Sequence, residues 1–424
     1  MTNITYVRTE MLPQQAPPPG EVGVVGWLRQ NLFSGPFNTI LTIVSAAVII
    51  FLAYEILPWF TNSIWNASSL SECREIADGA CFAVINERFN QLMFGFYPSE
   101  LYWRPVLAFV LLLIALAPVL IDTVPKKLLL LTAVYPAIMY LLIWGGSIWP
   151  PIFVLAGFVV SAVVFSVVDK LAGTLAAIII AVLAALFWWL YAVVPVSDVF
   201  ISIADIGFVE VTSNQLGGFM LSIIIGMTGI ALSFPIGIVL ALGRQSDMPI
   251  VKIMCVGFIE FIRGVPLITL LFTASLLLGY FLPKGTTFDI VLRVMIMVTL
   301  FASAYMAEVI RGGLAALPRG QYEAADALGL NYWQAQRLII MPQALKISIP
   351  GIVSTFIGLF KDTTLVSIIG LLDPLGLSSA IRANQAWNGI IWELYGFIAL
   401  VFFIFCFSMS RYSMYLERKL QTGH

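Results

Sequence analysis

Long apolar runs separated by short polar stretches dominate the chain. A bilayer core about 30 Å thick needs roughly 20 apolar residues in helical conformation. Runs of that kind lie at about 38–60, 104–122, 128–147, 150–168, 172–196, 216–243, 253–282, 290–311, 344–370 and 390–412. The pattern predicts an all-α, polytopic membrane protein with about ten transmembrane helices, the third and fourth divided only by residues 145–151. An even number of crossings puts both termini on one side. Ahead of the first run, Pro13, Pro17, Pro18 and Pro19 mark residues 1–36 as a tail, and no small-residue cleavage site follows a short apolar core.

One polar stretch, residues 308–342, interrupts the second half and predicts two short helices. The first starts after the breaker Pro318-Arg319-Gly320, carries Gln321, Glu323 and Asp326 near its positive end, and gains helix propensity from Ala324, Ala325 and Ala327. Gly329 stops it, since glycine takes the left-handed conformation that closes a helix. Asn331 and Gln334 have the spacing of a capping box for the second helix, which is expected to end at Pro342.

Glu323, Ala324, Ala325, Gly329, Ile339 and Pro342 together resemble the EAA loop of the membrane subunits of bacterial ABC importers, with Met341 where leucine is usual. The flanks at 304–313 and 318–321 resemble the polar amino-acid uptake subfamily. The resemblance implies that residues 211–424 form a five-helix ABC type I importer (MetI-like) core with its coupling loop at 318–342. It also implies that Gln321, Glu323, Ala324, Ala325, Ala327, Gly329 and Pro342 form the contact to an ATPase. Residues 37–210 are then an added transmembrane block, as in the longer permease of general L-amino-acid importers. The implied partners are a second, homologous permease, an ATPase dimer holding ATP and Mg, an extracytoplasmic amino-acid-binding protein and the amino-acid substrate. No cofactor is expected in this chain.

Composition sharpens the class. With 60% hydrophobic and 11% charged residues in 424 and a formal net charge of −1, the chain has no basic tract for nucleic acid. Charge counts through its sidedness. Of 22 lysines and arginines, Arg74, Arg88, Arg104, Lys284, Arg293 and Arg382 fall outside when the amino terminus is inside, while Arg263 and Lys361 fall within runs. The remainder lie inside, which predicts cytoplasmic termini and a cytoplasmic 318–342 segment in a bacterial inner membrane. The loop at about 61–103 then faces an oxidising compartment, where Cys73 and Cys81 are expected to pair. Cys255 and Cys406 read as core thiols, and the one histidine, His424, excludes a histidine-rich metal site.

Three constellations lie at membrane depth. Gly229, Ser233, Gly237 and Ala241 give the sixth run a small-residue face, for close packing either inside the subunit or against the partner permease. Glu260 and Arg263 share a face of the seventh run. Eleven residues beyond Lys252, Arg263 is expected roughly 16 Å deep, near the midplane. Lys361, Asp362, Thr363, Thr364 and Ser367 interrupt the ninth run and resemble a Lys-Asp-Thr-Ser-Leu stretch of the family. Together with Glu308 and Arg311, these residues are candidates for the translocation path, where charges and hydroxyls suit a zwitterion. Ion pairing that fixes helix packing, or hydroxyls that hold a broken helix, are the alternatives. No phosphate-binding G-x-x-x-x-G-K-[ST] loop and no catalytic set is present, so ATP hydrolysis is expected on a separate subunit. The alternative to an ABC permease is an ion-coupled secondary amino-acid transporter, which needs no such elbow.

Overall fold

The computed structural model describes residues 23–277 and 289–420. Most of the 1–36 tail, the end of the seventh run, Lys284 and His424 lie outside the described residues. Among those described are nine helices long and apolar enough to cross a membrane, plus one bent pair, Pro249–Gly264 with Leu267–Ser275, that turns through 102°. The chain divides into two compact units, Met1–Ala83 and Val84–His424.

In the first unit, α1 (Gly23–Asn31) precedes α2 (Pro36–Thr61), whose proline-led start suits the first helical turn, where amide donors have no intrahelical partner. None of the α2 side chains is buried. A short α3 (Leu70–Ile76) follows, capped by Ser69, whose Oγ accepts from Glu72 N at 3.2 Å. Cys73 and Cys81 are joined by a disulfide with Cα atoms 5.8 Å apart. Trp59 meets Phe82 edge-on and Trp65 meets it at a tilt, with ring centroids 6.0 and 4.9 Å away.

The second unit begins with α4 (Ala83–Phe94), α5 (Trp103–Leu120) and α6 (Leu129–Ile143). A hairpin follows, made of α7 (Trp149–Ala172), α8 (Thr174–Phe187) and α9 (Val193–Ile203), the last two joined by a widened π turn at Trp188–Ala192. Trp188 and Trp189 donate their indole N–H groups across it to the carbonyls of Phe153 and Val154, at 2.8 and 3.0 Å. A two-stranded antiparallel ribbon, β1 (Gly146–Ser147) with β2 (Gly207–Phe208), closes its base. Beside the ribbon, Arg104 is almost wholly buried. It donates to Val209 O at 2.7 Å and lies 5.0 Å from the Phe208 ring, so an arginine read from sequence as one outside charge is a buried brace.

The remaining long helices are α10 (Gly218–Gln245), the bent α11 (Pro249–Gly264) and α12 (Leu267–Phe272), and α13 (Ile290–Ala315). Then come α14 (Arg319–Ala327), α15 (Tyr332–Ala335), α16 (Met341–Asp362), α17 (Pro374–Arg382) and α18 (Trp392–Leu420). One core cluster joins Ala108, Leu142 and Ile143 of the added block to Leu221, Ile225, Val294 and Leu359. The part of the added block from residue 84 onward therefore shares a core with the helices that follow it.

The small-residue face of α10 packs inside this subunit. A Cβ on Gly237 would lie 2.6 Å from Met306 Cγ, and one on Gly229 would lie 3.0 Å from Leu359. Gly229, Ser233, Gly237 and Ala241 are all buried within this subunit, with the two glycines against α13 and α16, which favours the first of the two readings the sequence left open. At the start of α10, Gly218 has φ +62° and passes so close to Leu92 that a side chain there would strike its carbonyl oxygen. Gly218 N also donates to Leu372 O at 2.7 Å, and Phe96 N to Gln215 O at 3.1 Å, so three chain segments are laced together at this end of the bundle.

Candidate functional site

The elbow at 318–342 is built from local signals. Pro318 N-caps α14, and only Ala325 of that helix is buried. Gly329, at φ +69°, closes it: Gly329 N donates to Asp326 O at 2.9 Å and Leu330 N to Ala325 O at 3.2 Å. Asn331 and Gln334 then exchange side-chain and backbone bonds at 2.9 and 3.0 Å, a reciprocal box that starts α15. Gln321 accepts from Gln343 Nε2 at 2.9 Å, which ties α14 to the foot of α16. Tyr322 packs against the core cluster that includes Ile340 and Ala344, and burial pushes its phenol upward.

Two expectations about the elbow need correction. Ala325 faces the chain's own core, whereas Glu323, Ala324, Ala327 and Leu328 face outward. Pro342 ends no helix. A π turn at Gln336–Ile340 widens the register just before it, so the proline sits at the second position of α16, where its missing N–H costs little. Residues 332–369 thereby form one continuous helical rod from the elbow into the bundle. Leu328, Trp333 and Leu338 are 72, 71 and 64% exposed on this elbow.

The charged candidates separate into two groups. At the elbow end, Glu308 of α13 gathers three arginines. Arg244 Nη1 lies 2.9 Å from its Oε1, Arg311 Nη2 3.0 Å and Arg263 Nη1 3.6 Å from its Oε2. Arg244 also donates to Glu260 at 2.8 Å, and the Arg263 guanidinium lies 5.6 Å from the Tyr305 ring. Arg244 was not a candidate from sequence, because its partners are 16 and 64 residues away and no local pattern joins them.

This geometry sets Arg263 beside Arg244 rather than at a depth of its own. Its partner Glu308 also binds Arg244, which is one residue from the end of α10. Rise per residue measures length along α11, and it equals depth only for a helix along the membrane normal. The chain instead turns through 102° after Gly264.

Lys361 and Asp362 lie near the other end. Their neighbours Phe360 and Thr363 pack on Gly226, 18 residues before Arg244, or about 27 Å along α10. The helix there tightens to a 3-10 turn, Thr363–Ile369, rather than breaking. The hydroxyls of Thr363, Thr364 and Ser367 donate to the carbonyls of Phe360, Lys361 and Thr364 at 2.7, 2.8 and 3.0 Å, and so serve the helix itself. Among the described residues no carboxylate lies within ion-pair distance of Lys361, which is exposed on the surface of this subunit. Beyond this turn Asp373 caps α17 through the N–H groups of Leu375 and Gly376, and burial pushes its carboxyl up to about 6.

Comparison with known proteins bears on all of this. Residues 233–422 match the family described as the binding-protein-dependent transport system inner membrane component. The chain is 59% identical, over the whole length of both proteins, to the glutamate/glutamine/aspartate/asparagine transport system permease protein BztC of Rhodobacter capsulatus. It is 41% identical to the inner membrane amino-acid ABC transporter permease protein YhdY of Escherichia coli, covering 94% of this chain and 93% of that one. The probable glutamine ABC transporter permease protein GlnP of Bacillus subtilis is 32% identical, with 47% of this chain covering 90% of that one. The ATPase of such transporters is a separate subunit. With its apolar spans and its two-helix elbow, the chain belongs to the family of ABC transporter permease subunits, the inner membrane components of binding-protein-dependent transport systems.

Proposed function

We propose that this permease imports amino acids that bear a side-chain carboxylate or amide. It works with a second permease, an ATPase dimer that holds ATP and Mg, and an extracytoplasmic binding protein. The observation that carries the reading is the end-to-end similarity to a permease named for glutamate, glutamine, aspartate and asparagine transport. The arginine-rich cluster on α10, α11 and α13 supports the choice of substrate, because guanidinium groups match carboxylates.

The elbow faces the cytoplasm in this reading, as do both termini, and the disulfide loop faces the opposite side. The ATPase docks on the outward face of α14 and α15, where Glu323, Ala324, Ala327, Leu328 and Trp333 are exposed. Closure of the ATPase dimer pushes the elbow, and the continuous rod carries that movement to Lys361. An exposed lysine on a membrane-spanning helix favours a wet path or a partner surface over lipid. Glu260, Arg263, Glu308 and Arg311 border the inner mouth of the same path, and Asp362, Thr363, Thr364 and Ser367 shape the helix that bears Lys361. Purification from native membrane followed by mass spectrometry tests the assembly: a second permease and an ATPase should co-purify, and recovery of this chain alone would refute the reading.

A further inference from the structure

The five charges at the elbow end are unequal in a way that identifies a ligand. Arg244, Arg263 and Arg311 face Glu260 and Glu308, leaving one positive charge in excess. Glu308 is deep, its side chain 16% exposed, and three guanidinium groups converge on it. Glu260 is the open member, at 54%, with a single partner, Arg244. It stands on the last turn of α11, four residues before Gly264, where a side chain would meet nothing and the chain then bends by 102°. By contrast, Gly237 packs α10 closely against Met306 of α13, the two helices that carry Arg244 and Glu308.

We propose that Arg244 is a specificity-determining residue that receives a carboxylate of the transported amino acid, and that Glu260 is its tethered stand-in. The assignment rests on the import reading above. The reason is electrostatic: with Glu260 withdrawn, Arg244, Arg263 and Arg311 face Glu308 alone, and a surplus of two positive charges at a partly desolvated mouth is one that another carboxylate offsets well. A substrate carboxylate that takes the free edge of Arg244 restores the count, and the return of Glu260 expels it. Every amino acid offers an α-carboxylate, and glutamate and aspartate add one on the side chain.

The test is equilibrium binding of radiolabelled glutamate and glutamine to the purified permease–ATPase complex without binding protein. Arg244→Gln should weaken glutamate binding about tenfold or more, with partial rescue by Arg244→Lys, which keeps the charge and loses the planar fork. Glu260→Gln should tighten binding several-fold by removing the competitor, a gain that a merely structural ion pair would not give. An equal loss for both ligands in Arg244→Gln assigns the α-carboxylate, and a loss confined to glutamate assigns the side chain. Unchanged binding in Arg244→Gln, weaker or unchanged binding in Glu260→Gln, or no binding by the wild-type complex would overturn the assignment. Uptake by the complete transporter, measured separately, shows whether the import reading has failed as well.

Discussion

Gly329→Val isolates the elbow from the rest of the molecule. The backbone at this position has φ +69°, and an added Cβ meets nothing within 4 Å, so the substitution creates no clash with a neighbour. Its cost is conformational: about 1 to 2 kcal/mol for an L residue in the left-handed region, with a β-branched side chain at the upper end or above. If the chain leaves that region instead, it gives up the bonds from Gly329 N and Leu330 N to Asp326 O and Ala325 O, each contributing about 0.5 to 1.5 kcal/mol. Either route lowers the population of the native elbow roughly tenfold, since about 1.4 kcal/mol is a factor of ten. The variant should reach the membrane in normal amount yet pull down less ATPase, or retain it with hydrolysis no longer stimulated by loaded binding protein. Gly329→Asn should lose less, because asparagine visits this conformation more readily. Wild-type ATPase recovery, stimulated hydrolysis and uptake in Gly329→Val would refute the claim that force passes through this turn.

Gly237→Leu drives a side chain into Met306 and Ala307 and should cost about 1 to 3 kcal/mol, seen as a lower melting temperature, whereas Gly257→Ala, with open space around it, should melt like wild type. Replacing Cys73 and Cys81 with serine removes a short-loop cross-link worth roughly 2 to 3 kcal/mol, and limited proteolysis should then cut within residues 62–82 and leave the elbow intact. Asp373 has its carboxyl raised from 3.8 to about 6, so the folded state holds the proton more tightly. Its contribution to stability is full below about pH 4 and is lost as pH rises through about 6. Asp373→Asn keeps an acceptor for the Leu375 and Gly376 N–H groups and should abolish that slope in thermal melts between pH 4 and 7.

Local chemistry made much of the fold legible. Apolar run length marks the spans, Pro318 and Gly329 mark the ends of α14, and Asn331 with Gln334 marks the start of α15, because each signal acts within a few residues. What escaped depends on tertiary geometry. The sharp turn beyond Gly264 cannot be read from a run whose apolar content continues past it, and no local signal pairs Arg263 with Glu308. Arg244 looked like one basic residue at a loop until α11 and α13 placed Glu260 and Glu308 against it. Pro342 looked like a stop, since the π turn that accommodates it has no sequence signature as sharp as a proline. The hydroxyls after Lys361 suited either substrate or the helix itself, and their donors are taken by the preceding turn of helix.

The most direct test of import is reconstitution of the complete transporter in liposomes. Loaded binding protein is supplied on one side and ATP with Mg on the elbow side, and uptake of labelled glutamate, glutamine, aspartate and asparagine is followed. An ATP-driven importer requires both ATP and binding protein for uptake and keeps working after collapse of every ion gradient. Uptake without ATP, driven by an imposed sodium or proton gradient, would contradict ATP-driven import.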